Sequence, residues 1–217
     1  MQTYHKINTI YKRTTDGKKL LVGEYSQDEF EYLKNNIWVF TEKVDGTNIR
    51  VKYDPAVPAL GGEQVIPWVS FGGKTDNAQI PSFLVDRLRN LFPVEKFEGY
   101  DCPMCLYGEG YGAKIQKGGG NYLADAVDFV LFDVKIGDWW LQREDIDEIA
   151  DKLDLVTVPI IGYGTLGDME GLCRQGFKSQ WGDFIAEGIV ARPAVELKTR
   201  SGNRIITKLK YKDFNDV

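Results

Sequence analysis

Thr41-Glu42-Lys43-Val44-Asp45-Gly46-Thr47-Asn48 is the stretch on which the reading of this chain turns. The run before Glu42, residues 37–41, is rich in β-forming side chains. Asp45-Gly46 beyond it is a turn pair. A lysine that ends a strand and meets a tight turn has its amine at the mouth of a pocket. A free lysine, with a pKa near ~10.4, keeps its proton at neutral pH and is a poor nucleophile. Nearby cations, whether a metal ion or other lysines, disfavour that proton and expose the lone pair. On Lys43, Asp45 and Gly46 alone, a surface lysine beside a hairpin turn is the better account. The case for a nucleophile rests on the rest of the chain.

Downstream, residues 47–53 alternate Asn48, Arg50 and Lys52 against Ile49, Val51 and Tyr53. Strand side chains point to opposite faces in turn, so this run has one buried and one polar face. Residues 127–135 form a second β-rich run. Strict alternation there puts Phe129, Leu131 and Asp133 on one face and Val130, Phe132 and Val134 on the other. Residues 203–212 read as a third strand, with Arg204, Ile206, Lys208, Lys210 and Lys212 on one face. Neighbouring lysines repel, so that face belongs either to a solvated edge or to a bound anion.

Three helices are expected. Ser26 with Glu29 is a capping-box pattern. Residues 82–92 put Leu84, Leu88 and Leu91 on one side. Residues 143–153 place Ile146, Ile149, Ala150 and Leu153 at helical spacing. Frequent turn residues and short β-rich segments elsewhere give a mostly antiparallel β core with a few helices.

The bulk composition sets outer bounds. The 217 residues suffice for one domain or two small ones, and the composition is that of a soluble globular protein. No run approaches the ~20 apolar residues of a membrane span. The first residues lack the apolar stretch of a secretory leader, so the default is a cytoplasmic protein. A net charge of −5 argues against broad nonspecific nucleic-acid binding. The basic stretch 194–214 still leaves room for a local groove. Three cysteines are too few for a disulfide framework. Cys102 and Cys105 form a CxxC pair that lacks a second ligand pair for zinc, so a loop with two free thiols is expected.

Further pieces follow the opening stretch in a fixed order. They are Ser70-Phe71-Gly72-Gly73-Lys74-Thr75-Asp76-Asn77, then Tyr107-Gly108-Glu109-Gly110-Tyr111-Gly112, then Phe129-Val130-Leu131-Phe132-Asp133-Val134. Ala186-Glu187-Gly188-Ile189-Val190-Ala191-Arg192-Pro193 and Lys208-Leu209-Lys210 complete the set. With the opening stretch, they resemble motifs I, Ia, III, IIIa, IV and V of the covalent nucleotidyltransferases, the superfamily of ATP-dependent ligases and capping guanylyltransferases. Within it, the chain most resembles the RNA ligases of the phage-type double-strand RNA-repair group. Thr47-Asn48 directly after Asp45-Gly46 decides the branch, because DNA ligases and capping enzymes usually place an arginine shortly after the glycine. The segment 112–117, Gly-Ala-Lys-Ile-Gln-Lys, is also similar to that group. The resemblance runs from about Tyr4 to Phe214.

The resemblance implies an α+β nucleotidyltransferase (ligase adenylation) domain, with antiparallel sheets around an ATP pocket, spanning residues 1–217. It implies that Lys43 attacks the α-phosphate of ATP and carries AMP. Glu42 then contacts the adenine, largely through main chain, and Asn48 lies near the ribose and α-phosphate. Lys74 takes a motif Ia place usually held by arginine. Glu109 bonds a ribose hydroxyl, and Phe132 stacks on the adenine. Glu187 helps hold Mg²⁺, and Lys208 and Lys210 bind phosphates. Strand alternation independently puts those two lysines on one face. Phe132 alone also fits core packing, and Glu109 and Glu187 alone also fit exposed turns.

The implied substrates are ATP and RNA ends, chiefly in a nicked or bridged duplex, handled by a monomer with no membrane partner. Only residues 211–217 follow motif V, so no C-terminal accessory domain is expected, although many relatives carry one. A minimal ATP-dependent DNA ligase and a noncatalytic nucleotide or RNA-end sensor are the rival readings. Gly162-Tyr163-Gly164-Thr165-Leu166-Gly167 matches GxGxxG, but a dinucleotide site needs a strand–helix–strand unit. The β-rich surroundings and Gly171 argue against one. Gly118-Gly119-Gly120 lacks the GK[ST] ending of a phosphate loop and reads as a mobile loop.

Overall fold

The computed structural model describes residues 2–58 and 64–215. Its first strands are β1 (Asn8–Thr9), β2 (Tyr11–Arg13), β3 (Leu20–Tyr25), β4 (Trp38–Lys43), β5 (Thr47–Asp54), β6 (Val57–Pro58), β7 (Gln64–Val65) and β8 (Trp68–Gly72). Then come β9 (Met104–Gly112), β10 (Val127–Ile136), β11 (Trp139–Trp140), β12 (Val156–Thr157), β13 (Ile160–Gly164), β14 (Gly188–Pro193) and β15 (Thr207–Lys210). The α-helices are α1 (Asp28–Tyr32), α2 (Ser82–Leu91), α3 (Gly119–Tyr122), α4 (Arg143–Leu153) and α5 (Leu166–Gln175). The chain forms two compact units, one of residues 1–4 and 45–157, the other of residues 5–44 and 158–217.

The unit of residues 5–44 and 158–217 is built on a five-stranded sheet in the order β1-β15-β14-β4-β13. All neighbours are antiparallel except β1 and β15. Strand β4 alternates cleanly, with Trp38, Phe40 and Glu42 buried and Val39, Thr41 and Lys43 less so. Trp38 and Phe40 join Phe30, Met169, Cys173 and Ile189 in one apolar core. Glu42 continues the same buried row, so its carboxylate lies on the covered face of the strand.

Two expectations fail here. Helix α1 starts after Gln27, with no side-chain cap, because the Ser26 hydroxyl donates to the Thr9 carbonyl at 2.5 Å. The tertiary partner outcompetes the local capping box. The run 203–212 is also not one strand. Only Thr207–Lys210 pairs continuously, Arg204 is buried in an ion pair with Glu196, and Lys212 lies exposed in a 3₁₀ turn over Tyr211–Asp213.

The GxGxxG stretch also departs from its reading. It forms β13, a turn and α5, with Gly171 inside the helix. Strands β13 and β14 are both antiparallel to β4 and so parallel to each other, which makes a strand–helix–strand crossover. A phosphate would need the free N–H groups at the start of α5. There Thr165 and Asp168 cap each other, with the Thr165 N–H bonded to the Asp168 carboxylate at 2.8 Å. The protein's own carboxylate fills the place.

The other unit carries a sheet in the order β11-β10-β9-β5-β8, with β12 added parallel to β10. Ile49, Val51 and Tyr53 of β5 are buried as expected, as are Leu84 and Leu88 of α2 and Ile146, Ile149, Ala150 and Leu153 of α4. Together they form the core of this unit.

Strict alternation fails on β10. The register shifts between Leu131 and Asp133, so Phe132 sits at a bulge. Past it, Val134 joins Phe129 and Leu131 in the core, while Asp133 accepts a hydrogen bond from the Tyr4 hydroxyl. Arg50, on the face read as polar, is 1% exposed. Its Nε donates to the Gly73 carbonyl at 2.7 Å, and it pairs with Asp76 at 3.0 Å. Gly119 opens the short helix α3 in place of the expected mobile loop. Cys105 lies on β9 and Cys102 in the exposed loop before it.

Candidate active site

In the five-stranded sheet, β14 lies between β4 and β15. Its first residue, Gly188, is registered opposite Lys43 on one side and Lys210 on the other. Any Cβ at Gly188 would meet the Leu209 carbonyl oxygen at 2.1 Å, so only glycine lets the strands approach this closely. Glu187, immediately before it, reaches both flanking strands. Its Oε2 is 2.5 Å from Lys43 Nζ and its Oε1 is 2.5 Å from Lys210 Nζ. Lys43 also donates to the Val44 carbonyl at 3.4 Å. One carboxylate therefore holds two ammonium groups, and all three side chains are partly open to solvent.

Lys208 and Lys210 alternate with the buried Thr207 and Leu209, so they share the open face of β15. The Lys210 N–H donates to Asp213 at 3.0 Å, and Asp213 pairs with Arg13 at 2.6 Å. These bonds fix the end of β15.

Glu42 is turned the other way from Lys43. Its carboxylate accepts the Ser179 hydroxyl at 2.6 Å and the Gln180 N–H at 2.8 Å. Burial pushes its pKa above the usual glutamate range, and the bonds from Gln180 and Ser179 oppose that shift. This role for the Glu42 side chain is absent from the sequence reading, as are the parts played by Ser179 and Gln180.

The remaining expected residues lie in the other unit. Asn48 on β5 is registered opposite Glu109 on β9. The Asn48 Oδ1 is buried and has no hydrogen-bond partner among the described residues. Gly46 precedes them, and a Cβ there would meet the Gly110 carbonyl oxygen at 2.3 Å. The turn is held further by the Asp45 N–H to the Tyr122 hydroxyl at 3.0 Å and by Gln116 Nε2 to the Gly46 carbonyl at 3.0 Å. Phe132 meets the Tyr4 ring edge-on, with centroids 5.1 Å apart. Lys74 is exposed beside the Gly73 carbonyl that Arg50 holds. Arg50 and Tyr122 brace this unit. Nothing in the sequence marks Tyr122, and Arg50 reads there only as one residue of the polar face of 47–53.

The structure therefore joins Lys43, Glu187 and Lys210 directly, with Lys208 on the same strand face as Lys210, and pairs Asn48 with Glu109. Among the described residues no group of three or more His, Cys, Asp or Glu could cage a metal. Glu187 is the carboxylate at the lysine cluster.

Solved structures resemble this fold. A point mutant of Naegleria gruberi RNA ligase with ATP and Mn has a TM-score of 0.64 at 16% identity, over 94% of this chain and 57% of that one. Another mutant of the same ligase, with AMP and Mn, gives 0.63 at 16%, over 84% and 52%. The ligase with PPi gives 0.62 at 17%, over 95% and 61%. The chain thus spans little more than half the length of these relatives. No curated protein sequence matches it. The family model described as RNA ligase matches residues 36–211, which takes in every motif from Lys43 to Lys210. With that match over most of its length, the chain belongs to the RNA ligase family.

Proposed function

We propose that this protein is an ATP-dependent RNA ligase, akin to the phage-type double-strand RNA-repair group, and that it works through AMP bound covalently to Lys43. The observation that carries the reading is the contact of Lys43 and Lys210 with the one carboxylate of Glu187. A nucleotide or RNA-end sensor has no need of such an arrangement.

A lysine ammonium has no lone pair to offer. Attack requires Nζ to leave the carboxylate and give a proton to water. The freed nitrogen then forms a bond to the α-phosphorus of ATP as the bond from that phosphorus to the bridging oxygen breaks, and pyrophosphate departs. Lys208 and Lys210 offset the negative charge that builds on the phosphates. A 5′-phosphate oxygen of RNA next displaces Lys43 from the AMP phosphorus. Last, a 3′-hydroxyl attacks that 5′-phosphate, AMP leaves, and the strand is closed.

The donor set suits Mg²⁺, which is commonly held by one or two carboxylates together with substrate phosphates and water. Glu187 is the residue that would hold it, and the ion would supply positive charge against the triphosphate. In the other unit, the unspent Oδ1 of Asn48 opposite Glu109 supports the ribose roles that the resemblance gives these two residues. Phe132 is assigned to the adenine ring on resemblance, and Lys74, in a motif Ia place usually held by arginine, would supply a further cation. We read the two units as working as one nucleotidyltransferase domain.

The test is incubation with radiolabelled ATP and Mg²⁺ followed by a denaturing gel. Label that survives on wild-type protein and is missing from Lys43→Ala supports the reading. Label on Lys43→Ala overturns it.

A further inference from the structure

The Glu42 side chain lies on the buried face of β4, one residue before the proposed nucleophile and turned away from it. It faces a hairpin that leads into Glu187. Residues 177–186 are closed by the Ser179 N–H to the Phe184 carbonyl at 2.8 Å and by the Ala186 N–H to the Phe177 carbonyl at 2.9 Å. Lys178 and Ile185 bridge between those two bonds, and Lys178 pairs with Asp183 at 3.1 Å. Within this hairpin the Trp181 N–H donates to Ser179 Oγ at 3.1 Å, and the Ser179 hydroxyl in turn donates to Glu42. The Gln180 N–H donates to the other oxygen of the same carboxylate. Both oxygens of Glu42 are thus committed to the start of the hairpin turn.

We infer that Glu42 is a positioning residue, whose carboxylate anchors the hairpin 177–186 and thereby fixes where Glu187 emerges between Lys43 and Lys210. This rests on the ligase reading above and adds to it a role for a side chain that the resemblance credits chiefly with a main-chain contact. A carboxylate buried on the covered face of a strand carries a standing cost unless its oxygens are bonded. Here both are bonded to one hairpin, which enters β14 at Glu187. The chain runs from Ala186, tied to Phe177, through Glu187 to Gly188, wedged against Leu209. That leaves Glu187 little freedom once the hairpin is held. Without Glu42 the hairpin keeps its own ladder bonds and loses these two bonds to β4. Small displacements of a reacting group lower rates steeply, by as much as ~100-fold for about 1 Å.

The test uses the full chain in wild-type, Glu42→Ala, Glu42→Gln and Ser179→Ala forms, with two readouts. The first is amide hydrogen exchange in peptides covering 177–187, which needs no activity. Glu42→Ala should speed exchange there by about tenfold or more while peptides from α4 stay unchanged, as expected for a local opening. The second is the rate of covalent labelling against ATP concentration. Glu42→Ala should lower the maximal rate by about 10- to 100-fold with the half-saturating ATP concentration within about twofold of wild type. Glu42→Gln, which can still accept the Gln180 N–H, should recover most of the loss on both readouts, and Ser179→Ala should fall between. Unchanged exchange across 177–187 in Glu42→Ala overturns the inference. So does a rate loss that Glu42→Gln shares in full, or one that appears only as weaker ATP saturation, since both would mark a direct role for the charge or for nucleotide contact. If wild-type protein takes no label, the ligase reading falls and the exchange result alone decides the positioning.

Discussion

Lys43 and Lys210 stand at the same level on the two strands that flank β14, each registered opposite Gly188. They are far apart in sequence, and the sheet order brings them to the same carboxylate. The cluster stores positive charge beside a potential nucleophile without leaving that charge unpaired. A triphosphate arriving there would find two cations already gathered and one carboxylate to compete with.

Removing Lys210 should therefore damage nucleotide transfer more than it damages the fold. Lys210→Ala is expected to slow covalent labelling of Lys43 by about 100-fold, the scale on which charge-stabilising groups act in such sites. Lys208→Ala should also slow it heavily, because it shares the strand face. Single-turnover labelling rates check this. Near-normal rates in both variants would mean that the face serves only solvent.

Lys43→Ala should abolish covalent AMP while the protein still unfolds cooperatively near the wild-type temperature. Lys43 is partly exposed, and Glu187 keeps Lys210 as a partner, so no buried charge is orphaned. A thermal melt beside the labelling gel separates loss of the nucleophile from loss of the fold.

Acid should reveal the cost of burying Glu42. Its folded-state pKa is raised, so the folded protein binds a proton at a pH where the unfolded chain has already released it. Stability is therefore lost as pH rises through that window and stays lower above it. Glu42→Gln carries no charge at any pH. It should melt higher than wild type at neutral pH, and the advantage should shrink on acidification below the ordinary glutamate range. An advantage independent of pH would place the effect elsewhere.

ATP should label the protein in preference to GTP, because the motif pattern resembles the ATP ligases and departs from the capping enzymes. Parallel reactions with the two labelled nucleotides decide it, and equal labelling would favour the capping branch.

With pre-adenylylated 5′ ends, a nick whose 3′-hydroxyl strand ends in ribose should be sealed faster than one ending in deoxyribose. The 2′-hydroxyl both donates and accepts, and it is what marks RNA at a given site. Equal or faster sealing of the deoxyribose nick would favour the DNA ligase reading.

Motif order made the lysine–glutamate cluster legible, because Lys43, Glu187 and Lys210 each sit at a strand end where local pattern is strong. Lys43 closes a cleanly alternating strand, and Lys208 and Lys210 share a face by simple alternation. What stayed hidden was set by distant partners. The bulge at Phe132 reverses the faces of β10 beyond it, and no local pattern announces a register shift. Ser26 has a capping partner in sequence and spends its hydroxyl on Thr9 instead. Arg50 alternates like a solvent-facing residue and is buried because Gly73 and Asp76 come round to meet it. Glu42 is expected to contact adenine largely through its main chain, and only the three-dimensional position of Ser179 and Gln180 gives its side chain an occupation.

Strands β4 and β13 are sheet neighbours, yet residues 45–157 lie between them in the chain. During synthesis Lys43 leaves the ribosome well before the strands that complete its surroundings. β4 must wait for β13, then β14, then β15, while the intervening unit, with a core of its own, can fold in the meantime. Joining ends separated by so long an insertion costs only a little more than joining nearby ones, because closure entropy grows with the logarithm of length. A nascent chain that stops short of β15 carries Lys43 without the partner shared through Glu187. The lysine–glutamate cluster therefore assembles only after β15 has emerged.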